Sequence, residues 1–153
     1  MDYRMWAALL LTALLAGCDS APPGSLQTHV HPNGLRLSVS ESSLVTTTTA
    51  GFVIEAVAKN RMHYPFVVSV ALLTQRPKGR LYRVHYAGDG RILWYSATHD
   101  EGVGSGDPAW EMIAVERVGT HWIEYRETRQ DEWPPHEMWD IAQRVSYIPP
   151  SSR

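Results

Sequence analysis

The residues with the types and spacing for chemistry fall in three places. His29 and His31 stand one residue apart and would ligate a metal if a third ligand joined them, although a lone pair beside a polar segment is ordinarily solvated. A single cysteine, Cys18, supplies the only thiol, which excludes an intramolecular disulfide framework and a CxxC zinc site. The stretch Thr98 to Ala109 (THDEGVGSGDPA) gathers His99, Asp100, Glu101, Ser105 and Asp107 around Gly102, Gly104 and Gly106. Its glycines give backbone freedom and its polar side chains give reach, and it is longer than an ordinary hairpin connection. Its acids would repel a phosphate. They are residue types that calcium takes, but the EF-hand spacing is absent.

The motifs of common enzymes are missing. The chain has no GxSxG, no HExxH, no Walker loop and no GxGxxG opening a helix. Sixteen acidic residues leave room for a glycosidase-type carboxyl pair, yet spacing alone does not specify one. A second exposed candidate is Gln130 to Trp139 (QDEWPPHEMW), where Glu132, Trp133 and His136 surround two prolines. Tryptophan is a favoured interface anchor, although Trp139 is also placed to pack a helix on a sheet.

Charge sharpens this. The 153 residues carry 14 basic and 16 acidic side chains, a net −2, without the footprint of a general nucleic-acid binder. The distribution is polarised: His99 to Asp140 holds eleven acids against three arginines, whereas Arg76 to Arg91 holds five bases against Asp89. Such polarisation selects one partner rather than favouring general stickiness.

The elements that must position these residues read as strands. Turn signals recur between β-rich runs. Asn33-Gly34 precedes the alternating Leu35 to Val39, and Leu44 to Thr49 is β-branched. Gly51 opens Phe52 to Val57, and Phe66 to Thr74 is apolar enough for a central strand covered on both sides. Arg80 to Ala87 and Arg91 to Ser96 flank Gly88-Asp89-Gly90. Gly119-Thr120 suits a type II′ turn, which sets Val118 opposite His121, Arg117 opposite Trp122 and Ala114 opposite Tyr125. That register puts Met112, Ala114, Val118, Ile123 and Tyr125 on a core face, with Glu111, Arg117, Trp122, Glu124 and Arg126 facing water. Met138, Ile141, Ala142 and Val145 then mark one face of a short helix. The expected fold is mainly β, an antiparallel sandwich-like domain over 28–153 with one short C-terminal helix.

The first residues look like an address rather than a fold. Met5 to Gly17 is uncharged and follows Arg4; thirteen residues span about 20 Å as a helix, short of a bilayer's roughly 30 Å. Leu15-Ala16-Gly17-Cys18 resembles the bacterial lipobox, whose cysteine is lipidated and becomes the first mature residue. That implies a signal peptide over 1–17, lipid chains on Cys18, no thiol left for catalysis, and a lipidated tether over 18–27. Asp19 resembles an inner-membrane retention signal; inner and outer membrane both stay open.

Several segments together resemble one family. The lipobox and tether, Asn33 to Val39 (NGLRLSV), Gly51 to Glu55 (GFVIE), Gly102 to Gly106 (GVGSG) leading to Trp110-Glu111, and Trp122 to Tyr125 (WIEY) are similar to type VI secretion immunity lipoproteins, which protect against a muramidase-type effector. The resemblance implies a non-catalytic periplasmic inhibitor without a cofactor. Its partner would be a secreted peptidoglycan hydrolase, blocked sterically by loops. It makes His99, Asp100, Glu101, Gly104, Ser105, Gly106 and Asp107 the expected plug, its acids standing where sugar or a bound cation such as calcium would sit. A structural envelope lipoprotein and an inhibitor of lysozyme-type enzymes are the other readings.

Overall fold

The structure is a computed structural model that describes residues 25–56, 66–79, 81, 83–100, 109–129 and 137–150. The strands are β1 Leu26–Val30, β2 Leu35–Ser40, β3 Leu44–Thr47, β4 Gly51–Ala56, β5 Phe66–Leu73, β6 Arg83–Tyr86, β7 Ile92–Asp100, β8 Ala109–Val118, β9 His121–Arg129 and β10 Val145–Tyr147. One helix, α1, spans Glu137–Gln143 between β9 and β10. All described strand pairs are antiparallel. They form a three-stranded sheet ordered β1-β2-β10 and a seven-stranded sheet ordered β3-β4-β5-β9-β8-β7-β6.

Alternation explains how the layers meet. Leu35, Leu37 and Val39 of β2 are buried and join Phe52, Ile54, Val68, Val70, Ala114, Ile123 and Tyr125 of the large sheet in one core. Met138, Ile141 and Ala142 bring α1 into it, followed by Val145. The β8–β9 hairpin has the expected register, with Val118 opposite His121 and Ala114 opposite Tyr125. Gly119 takes the positive φ that its turn requires. On the outer face, Arg126 bridges Glu111 at 2.8 Å and Glu124 at 3.7 Å, and Arg76 lies over the Trp122 ring at 5.5 Å. Beneath these long side chains Val115 is fully buried, although it shares their face.

Three local expectations change. β5 is central, flanked by β4 and β9, but it is covered on one face, since outward Val67 is 39% exposed. β1 begins at Leu26, so the last two residues of the 18–27 stretch belong to a strand rather than to a tether. β7 runs to Asp100, so Thr98, His99 and Asp100 are strand, not loop. Here paired tertiary neighbours override the polar composition: Thr98, His99 and Asp100 sit opposite Glu111, Trp110 and Ala109.

Both ring nitrogens of His31 are taken up by hydrogen bonds within the fold. His31 is buried, its Nε2 donates to the Thr48 carbonyl at 2.8 Å, and its Nδ1 accepts the Asn33 N–H at 3.1 Å. Asn33 also donates to the Ala50 carbonyl. Together they tie the β1–β2 turn to the β3–β4 turn.

The C-terminal segment is fastened by Arg91. Its guanidinium donates to Asp89, Glu116, the Val145 carbonyl and the Ala142 carbonyl. Tyr125 donates to the same Glu116 oxygen at 2.5 Å. Burial pushes the Glu116 carboxyl above its ordinary range despite the Tyr125 hydroxyl and Arg91. Burial and then the Glu116 charge push the Tyr125 phenol well up. One cation therefore secures the end of α1, β10 and a buried acid.

Candidate functional site

Cross-strand register brings distant residues into one row. Ala56 pairs with Phe66, Phe66 with Arg129, Arg129 with Trp110, and Trp110 with His99. This row crosses five strands at one end of the large sheet. Segments 57–65, 101–108 and 130–136 all leave from it, because they follow β4, β7 and β9. The chain also arrives there: Leu26 pairs with Ser40, a three-residue turn leads to Leu44, and Leu44 pairs with Glu55.

The described floor of this end is aromatic and charged. His99 stacks on Trp110 with centroids 4.5 Å apart, and the buried Trp110 Nε1 has no hydrogen-bond partner among the described residues. Farther from this end, level with Leu93 and Tyr95 of β7, Trp139 of α1 stacks on His85 at 4.0 Å and meets Tyr95 edge-on at 5.0 Å. Trp139 thus packs the helix on the sheet, one of the two roles its position allowed. Arg129 lies 5.8 Å over the Phe66 ring and pairs with Glu137.

Below it is a buried carboxyl. Glu127 has no solvent exposure, and its Oε2 accepts the Met138 N–H at 2.8 Å. Arg129 Nε lies 3.9 Å from its other oxygen. Burial pushes Glu127 up to about 8, opposed by the Met138 N–H and reinforced by the charge of Glu137. Burial also works to raise Glu137, but its own backbone N–H and Arg129 outweigh it and hold that carboxyl below its ordinary range.

Of the expected contact residues, His99 is exposed at the end of β7 and Asp100 is that strand's last residue. Glu101, Gly104, Ser105, Gly106, Asp107, Glu132, Trp133 and His136 lie outside the described residues, as does Cys18. The two candidate segments are nevertheless rooted side by side, since Trp110 pairs with Arg129. Sequence reasoning missed Glu116, Glu127 and Arg129 as interior residues. The signal was present, because all three share the alternation phase of Met112, Ala114, Ile123 and Tyr125.

Among the described residues no group of three His, Cys, Asp or Glu side chains is placed to hold a metal, and no helix is long and apolar enough to cross a membrane. No protein-family model matches the chain, and a comparison with curated proteins finds no match.

Proposed function

We propose that this chain is a lipid-anchored periplasmic immunity protein that binds a type VI secreted, muramidase-type effector and blocks its substrate groove. The observation that supports this reading is the common root of the two candidate contact segments. Residues 101–108 and 130–136 are far apart in sequence, yet both spring from the Trp110–Arg129 level of one sheet end. A steric inhibitor is served by such an end, because paired strands fix where both contact segments begin and so place them side by side for one partner.

The stretch His99 to Asp140, which includes both candidate contact segments, is acidic in sequence, which suits a contact drawn from it to a partner groove of opposite sign. The seven residues between Cys18 and Leu26 reach at most about 23 Å. A domain anchored by Cys18 therefore meets its effector close to the membrane, with its contact end on the side where the tether arrives.

The contact is tested by replacing Asp100, Glu101 and Asp107 together with alanine. Affinity for the effector is expected to fall at least about tenfold, near 1.4 kcal/mol. The thermal melt should stay within about 2 °C of the parent, since none of the three contributes to the core described above. Titration calorimetry and a melt on the same sample read both quantities. Unaltered affinity would remove the 100–107 segment from the interface.

A further inference from the structure

The outer face of the seven-stranded sheet, turned away from the core, carries five of the eight large hydrophobic residues that are exposed among the described ones. They are Leu44, Val67, Val84, Tyr86 and Ile92. Three of the five gather at the β6 margin, where Tyr86, 73% exposed, pairs with Ile92, and Val84 pairs with Trp94. The partly buried Trp94 ring lies 6.2 Å from that of Trp122 on the same face. Two exposed arginines flank these rings: Arg76 lies over Trp122, and Arg117 stands opposite Trp122 across the β8–β9 pair. Arg76 meets a ring and Arg117 donates to the Gly119 carbonyl, so the charge of each is open to an outside anion.

The acids of this face are Glu55, Glu111 and Glu124, and Arg126 bridges the last two. Asp89, in the β6–β7 turn, is held by Arg91. A protein partner is best served by an apolar centre inside a polar rim. Here the order is reversed: the Glu111–Arg126–Glu124 group occupies the middle, and the apolar residues reach the β3 and β6 margins. A lipid headgroup layer suits that order. Tyrosine and tryptophan rings rest at its depth, arginines meet its phosphates, and hydrated ion pairs keep their water.

The tether starts beside the opposite margin. The Glu41 N–H donates to the Ser25 carbonyl, and three residues later Leu44 faces outward from β3. β3 and β6 are six strand spacings apart, roughly 29 Å. Lipid chains on Cys18 hold one margin near the bilayer and the aromatic corner holds the other, which lays the sheet flat rather than on its end.

We propose that this outer face is a docking surface for an anionic bilayer: Tyr86, Ile92 and Trp94 settle among the headgroups, and Arg76 and Arg117 take lipid phosphates. The proposal rests on the lipid anchor of the immunity reading and not on the effector. In this pose the strands run along the membrane, and the sheet end at the Trp110–Arg129 level points sideways rather than into lipid.

The test is hydroxyl-radical footprinting of the whole lipidated protein, sparsely loaded in two kinds of vesicle. One kind is phosphatidylglycerol with phosphatidylethanolamine, the other phosphatidylcholine alone. Flotation in high salt first reads the anchor. In the anionic vesicles, oxidation of Tyr86, Ile92 and Trp94 should be about fivefold or more below that in phosphatidylcholine. His99, exposed at the far end of β7, should be oxidised alike in both. Arg76→Glu with Arg117→Glu should restore oxidation of Tyr86 while flotation stays unchanged. Equal oxidation of Tyr86 in both lipids, by a protein that floats, would overturn the docking surface and leave the anchor standing. Loss from the vesicles in high salt would remove the anchor and this orientation together. Protection that is equal in phosphatidylcholine and deepens with protein loading would give the face to a second copy of the chain, against the proposal.

Discussion

Arg91→Ala is expected to destabilise the domain by about 3 kcal/mol, a fall in melting temperature of roughly 10 °C. The loss exceeds that of an ordinary surface ion pair because of what Arg91 leaves behind. Glu116 is 2% exposed and relies on Arg91 at 2.9 Å and on Tyr125. Without the guanidinium it must ionise unpaired or hold a proton, and the Ala142 and Val145 carbonyls lose a donor. Lysine at position 91 should recover part of the stability, since an ammonium replaces the charge but cannot span four acceptors. Arg91→Met with Glu116→Gln should recover part as well, because the buried charge disappears with its partner. A differential scanning melt reads all three. An Arg91→Ala protein melting within 2 °C of the parent would show that α1 and β10 are held without Arg91.

Gly34→Ala is expected to cost about 3 kcal/mol for two separable reasons. Gly34 has φ of +99°, a region that side chains rarely adopt, and an added Cβ would lie 2.2 Å from the Ile148 carbonyl oxygen. That oxygen belongs to the residue whose N–H donates to Gly34, so the backbone cannot retreat without breaking the bond. Gly51→Ala meets a similar obstacle, with the Val70 carbonyl oxygen 2.0 Å from the new Cβ, but without a positive φ. Comparing the two by urea denaturation separates strain from crowding. Both should unfold at lower urea with an unchanged slope. Near-parental midpoints would mean that the strands approach less closely than described.

Much of the scaffold is legible in the sequence, and the reasons are local. Gly119-Thr120 dictates a tight turn, and that turn sets every pair from Val118–His121 to Trp110–Arg129. Met138, Ile141 and Ala142 mark the buried side of α1 through helical spacing alone. What stays hidden depends on partners distant in sequence. Leu26–Val30 becomes a strand because β2 lies beside it, although its residues are mixed in polarity and mostly exposed. His99 and Asp100 read as loop from composition, but β8 holds them in the sheet. Glu127 sits in phase with the core, yet its acidic side chain argues for water until α1 supplies the Met138 N–H. The convergence of 101–108 and 130–136 likewise follows from sheet order, which no segment carries by itself.

The immunity reading joins the lipobox, the tether and the loop-bearing sheet end into one claim, that this protein neutralises a peptidoglycan-cleaving enzyme in the periplasm. The most direct measurement is survival of cells that express, in the periplasm, any peptidoglycan-cleaving enzyme that a gene adjacent to this one encodes. Turbidity should hold steady when the chain is present with Cys18 intact and collapse when it is absent. Equal lysis in both cultures would contradict the claim.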